Sequence, residues 1–268
     1  MRRIAVMVVL CAVVLCAAAA LAEEFAPVLE QTDKAKINWT DGFVEATGQA
    51  VAPSDKSGTG QGKLLARRGA IVDLQRNLLE FVQGVKVNAE TTMQDFMAND
   101  YVKTEVHGTI KNVEVVDSSW DGEIYTVVGR IRLGDLRKAV TPALPTQPTP
   151  KKDPAPVKGK STGLVLDVRH LPLIPAMTFR VVDEKGKVLY SLDFVDRERF
   201  LSSGLCEYQT NMNYATGVPR VTDKPTVIKA KSLVGPNNVD IVISNGDAAK
   251  IPGGYDYRIP CRVVVVKR

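Results

Sequence analysis

Between Thr141 and Lys160 the chain reads TPALPTQPTPKKDPAPVKGK, a run of six prolines and four lysines without one aromatic side chain. Proline fixes φ and removes a backbone donor, so neither a helix interior nor a central strand can pass through this run, and nothing in it can build a core. Such a stretch favours extended polyproline II at about 3.1 Å per residue, enough to hold two folded units up to about 60 Å apart. The expected organisation is a signal segment at 1–22, a short leader at 23–35, a first domain at 36–140, this linker at 141–160, and a second domain at 161–268. No internal repeat is visible.

Arg2-Arg3 precedes an unbroken apolar run from Ile4 to Leu21, which ends in Ala20-Leu21-Ala22 before Glu23-Glu24. A positive start, an apolar middle and small residues at the cut are the parts of a secretory signal, so export to the periplasm with cleavage after Ala22 is expected. The run is nearly long enough to span a bilayer, which leaves an uncleaved inner-membrane anchor as the alternative. Leu10 and Leu15 precede Cys11 and Cys16, where a lipid-attachment cut needs a small residue, and this argues against lipidation. With the signal removed, only Cys206 and Cys261 remain. An even pair in an oxidising compartment predicts a disulfide, worth about 4 kcal/mol for a loop of that length.

The net charge of +5 resides outside the expected folded parts. Arg2, Arg3 and the linker's four lysines against Asp153 account for all of it, so the folded parts carry no net charge and no large footprint for nucleic acid. With 45% hydrophobic residues the chain can bury a core.

In the first domain GFVEATGQAVA, from Gly42, reads as a strand and Lys63 to Val82 as a helix. Leu64, Ile71, Leu74, Leu78 and Phe81 recur at helical spacing as its apolar stripe, with Arg67, Arg68, Asp73, Gln75, Arg76 and Glu80 off it, and Gly84 is expected to cap the end in a left-handed conformation. VEVV and EIYTVVGRIRL flank Asp121-Gly122, a hairpin signal. One long helix on an antiparallel sheet is an α+β layer. The second domain carries six apolar or alternating runs, with Glu184-Lys185-Gly186 closing a hairpin and a short helix expected after Asp196. The four valines after Cys261 predict a strand covered on both faces, at the centre of its sheet.

Gly48-Gln49-Ala50, ARRGAIVDLQRNLLEFVQGVKV from Ala66 to Val87, and VVGRIRL from Val127 to Leu133 together resemble the lipoprotein-of-twenty-kilodaltons-like domain family of bacterial envelope proteins, related to the N-terminal domain of flagellar assembly protein T. The resemblance covers about residues 42–133 and implies an exported α+β domain in an envelope or flagellar-ring setting, with no catalytic residues to carry over. In the second domain GLVLDVR, PAM and VISNGDAAK resemble an uncharacterised segment that accompanies such domains in exported bacterial proteins.

Chemistry-bearing motifs are scarce. Gly58-Thr59-Gly60-Gln61-Gly62-Lys63 fails as a phosphate loop, since Ser57 stands where the first glycine belongs and Leu64 where a hydroxyl belongs. It reads as a loop. His107 and His170 lie in different domains without ligand-spaced partners. Asp183, Glu184, Asp193, Asp196 and Glu198 interleave with Arg197 and Arg199, as solvated turns do. Asn38-Trp39-Thr40 matches a glycosylation acceptor but reads as a strand edge. No catalytic group, cofactor or metal is expected. The chain reads as a non-enzymatic scaffold or assembly accessory that contacts envelope proteins, with Arg67, Arg68 and Arg76 as candidate contacts, and self-association is compatible with this. The alternative is a periplasmic module that binds cell-wall glycan or a small ligand through the second domain.

Overall fold

Short alternating runs and one long helical segment set the architecture of the first half. In the computed structural model, residues 26–145, 161–251 and 257–268 are described. The expected signal segment and its cleavage site, the start of the leader, and linker residues 146–160 lie outside them. Strands β1 (Leu29–Gln31), β2 (Ala35–Asn38) and β3 (Phe43–Val51) form a meander, followed by helices α1 (Gly60–Gly84), α2 (Met93–Phe96) and α3 (Asp100–Lys111). Strands β4 (Glu114–Trp120) and β5 (Ile124–Arg132) then make a hairpin, and α4 (Leu133–Val140) starts where β5 stops. The sheet is antiparallel with order β1-β2-β3-β5-β4. The hairpin turns at Gly122, φ +108°, while the Asp121 carboxylate accepts from the amides of Glu123 and Ile124 at 2.9 and 2.7 Å.

Helix α1 buries a face rotated from the one its large apolar residues suggest, the two sharing Leu74 and Leu78. Ala66, Ala70, Leu74, Leu78 and Val82 are buried, whereas Leu64 is 67% exposed and Ile71 and Phe81 are half-buried. The reason lies on β3: a Cβ at Gly48 would stand 2.2 Å from the Leu74 nitrogen and 2.3 Å from the Ala70 oxygen. At that spacing only small residues fit between helix and sheet. The expected left-handed cap at Gly84 is also replaced. α1 runs through Gly84 and stops at Val85, φ −63°, whose N–H returns to the Val82 carbonyl. The glycine-rich segment 58–63, expected as a loop, is instead mostly the first turn of α1, with Thr59 as its cap accepting from Gly62 N–H at 3.0 Å and Gly62 pressed against the Lys56 carbonyl.

The second half is strand-rich, as expected. It comprises β6 (Gly163–Asp167), β7 (Val181–Val182), β8 (Val188–Tyr190), α5 (Arg197–Ser203), β9 (Glu207–Gln209), α6 (Met212–Gly217), β10 (Pro225–Lys229), β11 (Ser232–Val234), β12 (Asp240–Val242), α7 (Asn245–Ala248) and β13 (Val263–Val266). One sheet is fully parallel with order β10-β6-β13-β9, and the other is mixed with order β11-β12-β7-β8. The four valines are β13, all buried in the interior of the parallel sheet. Val263 and Val265 face the main core with Leu164 and Leu166, while Val264 and Val266 face a smaller cluster with Val165, Ala215 and Val221.

The two halves are docked, not held apart by the linker as its composition suggests. Thr141–Ala143 extend α4 in a 3-10 turn with Thr141 buried, and one continuous core runs from Val28 to Val265. Met177 and Thr178 donate their amides to the Lys86 and Val87 carbonyls at 3.1 and 2.8 Å, and Asn237 donates to Ala89 O at 2.9 Å. Thr40 donates to Tyr208 O at 2.8 Å beside an edge-on Trp39–Tyr208 contact with centroids 5.7 Å apart. No helix among the described residues is long and apolar enough to cross a membrane.

The expected disulfide is absent: Cys206 and Cys261 are free thiols. Val264 pairs with Glu207, so Cys206 is level with Val263 and Cys261 lies two residues further back, in a turn with φ +55°. That offset aims the sulfurs at different tyrosines, Cys206 at Tyr208 and Cys261 at Tyr190. Burial raises Cys206 to about 12 and Cys261 to about 11 from an ordinary 9.0. Because the native thiols hold their protons to higher pH than the unfolded ones, their contribution is intact below about pH 9 and is lost as pH rises further, by up to about 1.4 kcal/mol per unit for each. Denaturant titrations at pH 8 and pH 10 should therefore show a loss on the alkaline side that shrinks in the Cys206→Ser/Cys261→Ser variant. An equal loss in both proteins would refute the assignment.

Candidate functional site

The turn between β2 and β3, the ends of β4 and β5, helix α4 and the segment after α5 converge on a cleft of about 720 Å³ between the two halves. Arg130, Arg132 and Arg137 come from the first half and Arg220 from the second, with Asp41, Glu114 and Glu207 also on the wall. β5 alternates, so the residues opposite its buried Val127 and Ile131 point out of the core, and this places Arg130 and Arg132 on the open face of the sheet. Arg130 donates to Glu45 through Nε at 3.2 Å and Nη2 at 2.7 Å and lies 3.8 Å over the Phe43 ring. Lys36 completes the cluster on Glu45 at 2.7 Å, and the two cations hold that carboxyl below the usual range against the opposing effect of burial.

Arg137 and Arg220 meet at the carboxyl end of α5. Arg220 donates to the carbonyls of Cys261, Ser203 and Gly204 at 2.8, 2.8 and 2.6 Å. Arg137 sends Nε and Nη2 to the single Leu201 carbonyl, both at 3.4 Å. Carbonyls at a helix end carry partial negative charge, which explains two cations there. Burial, with the charge of Arg220 added, lowers Arg137 to about 10. Arg132 is exposed and has no bonded partner among the described residues.

The residues singled out in the sequence lie elsewhere. Arg67, Arg68 and Arg76 are on the outer surface of α1 and do not line the cleft. Arg76 pairs with Asp73 at 3.1 Å, while Arg67 and Arg68 lie among the exposed Leu64, Leu65 and Val72. The acidic group of the second half is engaged locally. Asp196 caps α5 through Arg199 N–H at 2.9 Å, Asp183 accepts from the Lys185 and Lys187 amides at 2.9 Å each, and Glu184 pairs with Lys231. Asn38 is buried and donates to Asp41 at 2.7 Å, which removes it as a glycosylation acceptor in the folded protein. Among the described residues no three His, Cys, Asp or Glu side chains gather as a metal site. The cleft arginines escaped sequence reading because they are scattered from position 130 to position 220. The one local signal was Arg130-Ile131-Arg132 at the end of a strand.

Fold and cleft define a two-part α+β protein whose parts share a core and enclose a recessed, arginine-rich seam. Residues 163–268, the whole second half from the first residue of β6, match the family described as the second domain of Treponema pallidum Tp0624. No curated protein matches the chain.

Proposed function

We propose that this chain is an exported bacterial envelope protein that acts by binding rather than by catalysis, an assembly accessory that docks on other envelope proteins through the seam between its halves. The observation that carries the reading is the cleft itself. Both halves build it and a shared core fixes its shape. Rigid concave surfaces lose little entropy on binding, which favours recognition. The export signature and the resemblance of residues 42–133 to envelope and flagellar-ring domains support the setting. Glycan binding is favoured less, because sugars stack on exposed ring faces and the aromatic Trp39 of the cleft is buried edge-on against Tyr208.

The test is photo-cross-linking in living cells of the source bacterium, with the reactive group at position 114 in the cleft or at position 68 on α1, and mass spectrometry of the adducts. Envelope proteins captured from position 114 and not from position 68 are expected. Capture from position 68 alone would move the contact to the helix face, and adducts from neither position would overturn the docking reading.

A further inference from the structure

We propose that the cleft receives an acidic peptide segment of a partner protein, whose carboxylate is gripped by Arg137 and Arg132. The inference rests on the docking reading and adds the chemistry of what is docked. Arg137 and Arg220 are adjacent cations at the base of the cleft, and neither contacts a carboxylate among the described residues. Arg220 is satisfied by three short bonds to carbonyls, whereas Arg137 makes two bonds of 3.4 Å to one oxygen and its Nη1 is without a hydrogen-bond acceptor among the described residues. Asp135 acts on Arg137 only through space and is itself 3.5 Å from Lys138. A guanidinium offers its donors as a planar fork matched to a carboxylate, so an arriving acid can take up the donors that protein groups leave open. Arg132, five residues earlier on the same β5–α4 segment, stands at the mouth of the cleft with its charge unpaired among the described residues.

The remaining wall decides between sources of negative charge. Asp41, Glu114 and Glu207 share the cleft with the four arginines. A wall of mixed sign suits a peptide, whose carboxylates are spaced by neutral amides, better than a densely charged phosphate surface. The cleft is recessed between two halves, which keeps out a flat bilayer. Its volume of about 720 Å³ far exceeds that of a lone phosphate.

The test is fluorescence anisotropy on the full mature chain with a fluorescein-labelled alternating Glu-Gly peptide, its Gln-Gly counterpart as control, and inorganic phosphate and phosphatidylglycerol vesicles as competitors. Saturable binding of the Glu-Gly peptide is expected, with affinity at least about tenfold lower in Arg132→Glu and unchanged in Arg68→Glu. Arg132 is exposed, so its substitution leaves the core alone. Arg137→Lys, which keeps the charge and removes the fork, should weaken binding as well. The proposal is overturned if the Glu-Gly peptide does not bind, if the Gln-Gly peptide binds equally, if Arg132→Glu binds as tightly as the parent, or if phosphate or vesicles alone are bound. If cross-links from position 114 persist in cells under any of those outcomes, docking stands and only its acidic chemistry is lost.

Discussion

Replacing Gly48 by alanine should cost about 3 kcal/mol or more and lower the melting temperature by about 10 °C, the larger of two effects expected from single substitutions. The new methyl would sit 2.2 Å from the Leu74 nitrogen, 2.3 Å from the Ala70 oxygen and 2.6 Å from the Leu74 Cα, all backbone atoms of α1. No side chain can rotate out of the way. The helix must lift off β3, and lifting it opens the contacts of Ala66, Leu78 and Val82 along the same face. Gly84→Ala is the contrasting change, because a Cβ there meets open space and the backbone is helical, and it should stabilise by about 0.5–1 kcal/mol. Thermal and urea unfolding of both variants test the pair. A Gly48→Ala protein as stable as its parent would mean that α1 does not lie this close to the sheet.

The second large effect is expected at Arg180. Asp240 on β12 is 1% exposed and receives the Arg180 amide at 2.8 Å, Nε at 2.8 Å and Nη2 at 2.7 Å. Arg180→Met would leave a buried carboxylate with one backbone donor. Breaking such a pair costs about 3–5 kcal/mol in a dry interior, and because the arginine is half exposed about 2–3 kcal/mol is expected here. Adding Asp240→Asn removes the stranded charge, so the double variant should recover part of the loss. Urea unfolding of the single and double variants reads this directly. A single variant within about 0.5 kcal/mol of the parent, or a double variant less stable than the single, would show that water already screens the carboxylate.

Sequence pattern carried the first half where one structural layer faces water and the other faces the core. β3, β4, β5 and their Asp121-Gly122 turn were readable because alternation and turn chemistry are local. The buried face of α1 was readable only at Leu74 and Leu78, because helical periodicity weighs large side chains, and here a glycine on a neighbouring strand brings Ala66 and Ala70 into the packing. Helix α3 buries only Val102, Val106 and Ile110 among polar neighbours, too thin a stripe to stand out in the sequence. In the second half the four valines announced β13, but the three-residue β9 left no pattern. The linker's composition described the linker and not the surfaces it joins, which dock through Thr40, Thr178 and Asn237. The cleft was the least legible feature. Its arginines are exposed or half-buried and dispersed, and only the docking of the halves brings them together.

The chain order of the parallel sheet carries a consequence for biogenesis. Among the described residues β13 is the latest strand in the sequence, yet it lies between β6 and β9, and β9 pairs with no other strand there. A polypeptide made from its amino end therefore cannot close this sheet until residues 263–266 have arrived. Until then Leu164, Leu166 and Tyr208 have no valine ladder to pack beside, and the main core stays open on that side. The topology ties closure of the sheet to its latest strand: a chain that stops before residue 263 leaves β6 and β9 without the strand that joins them.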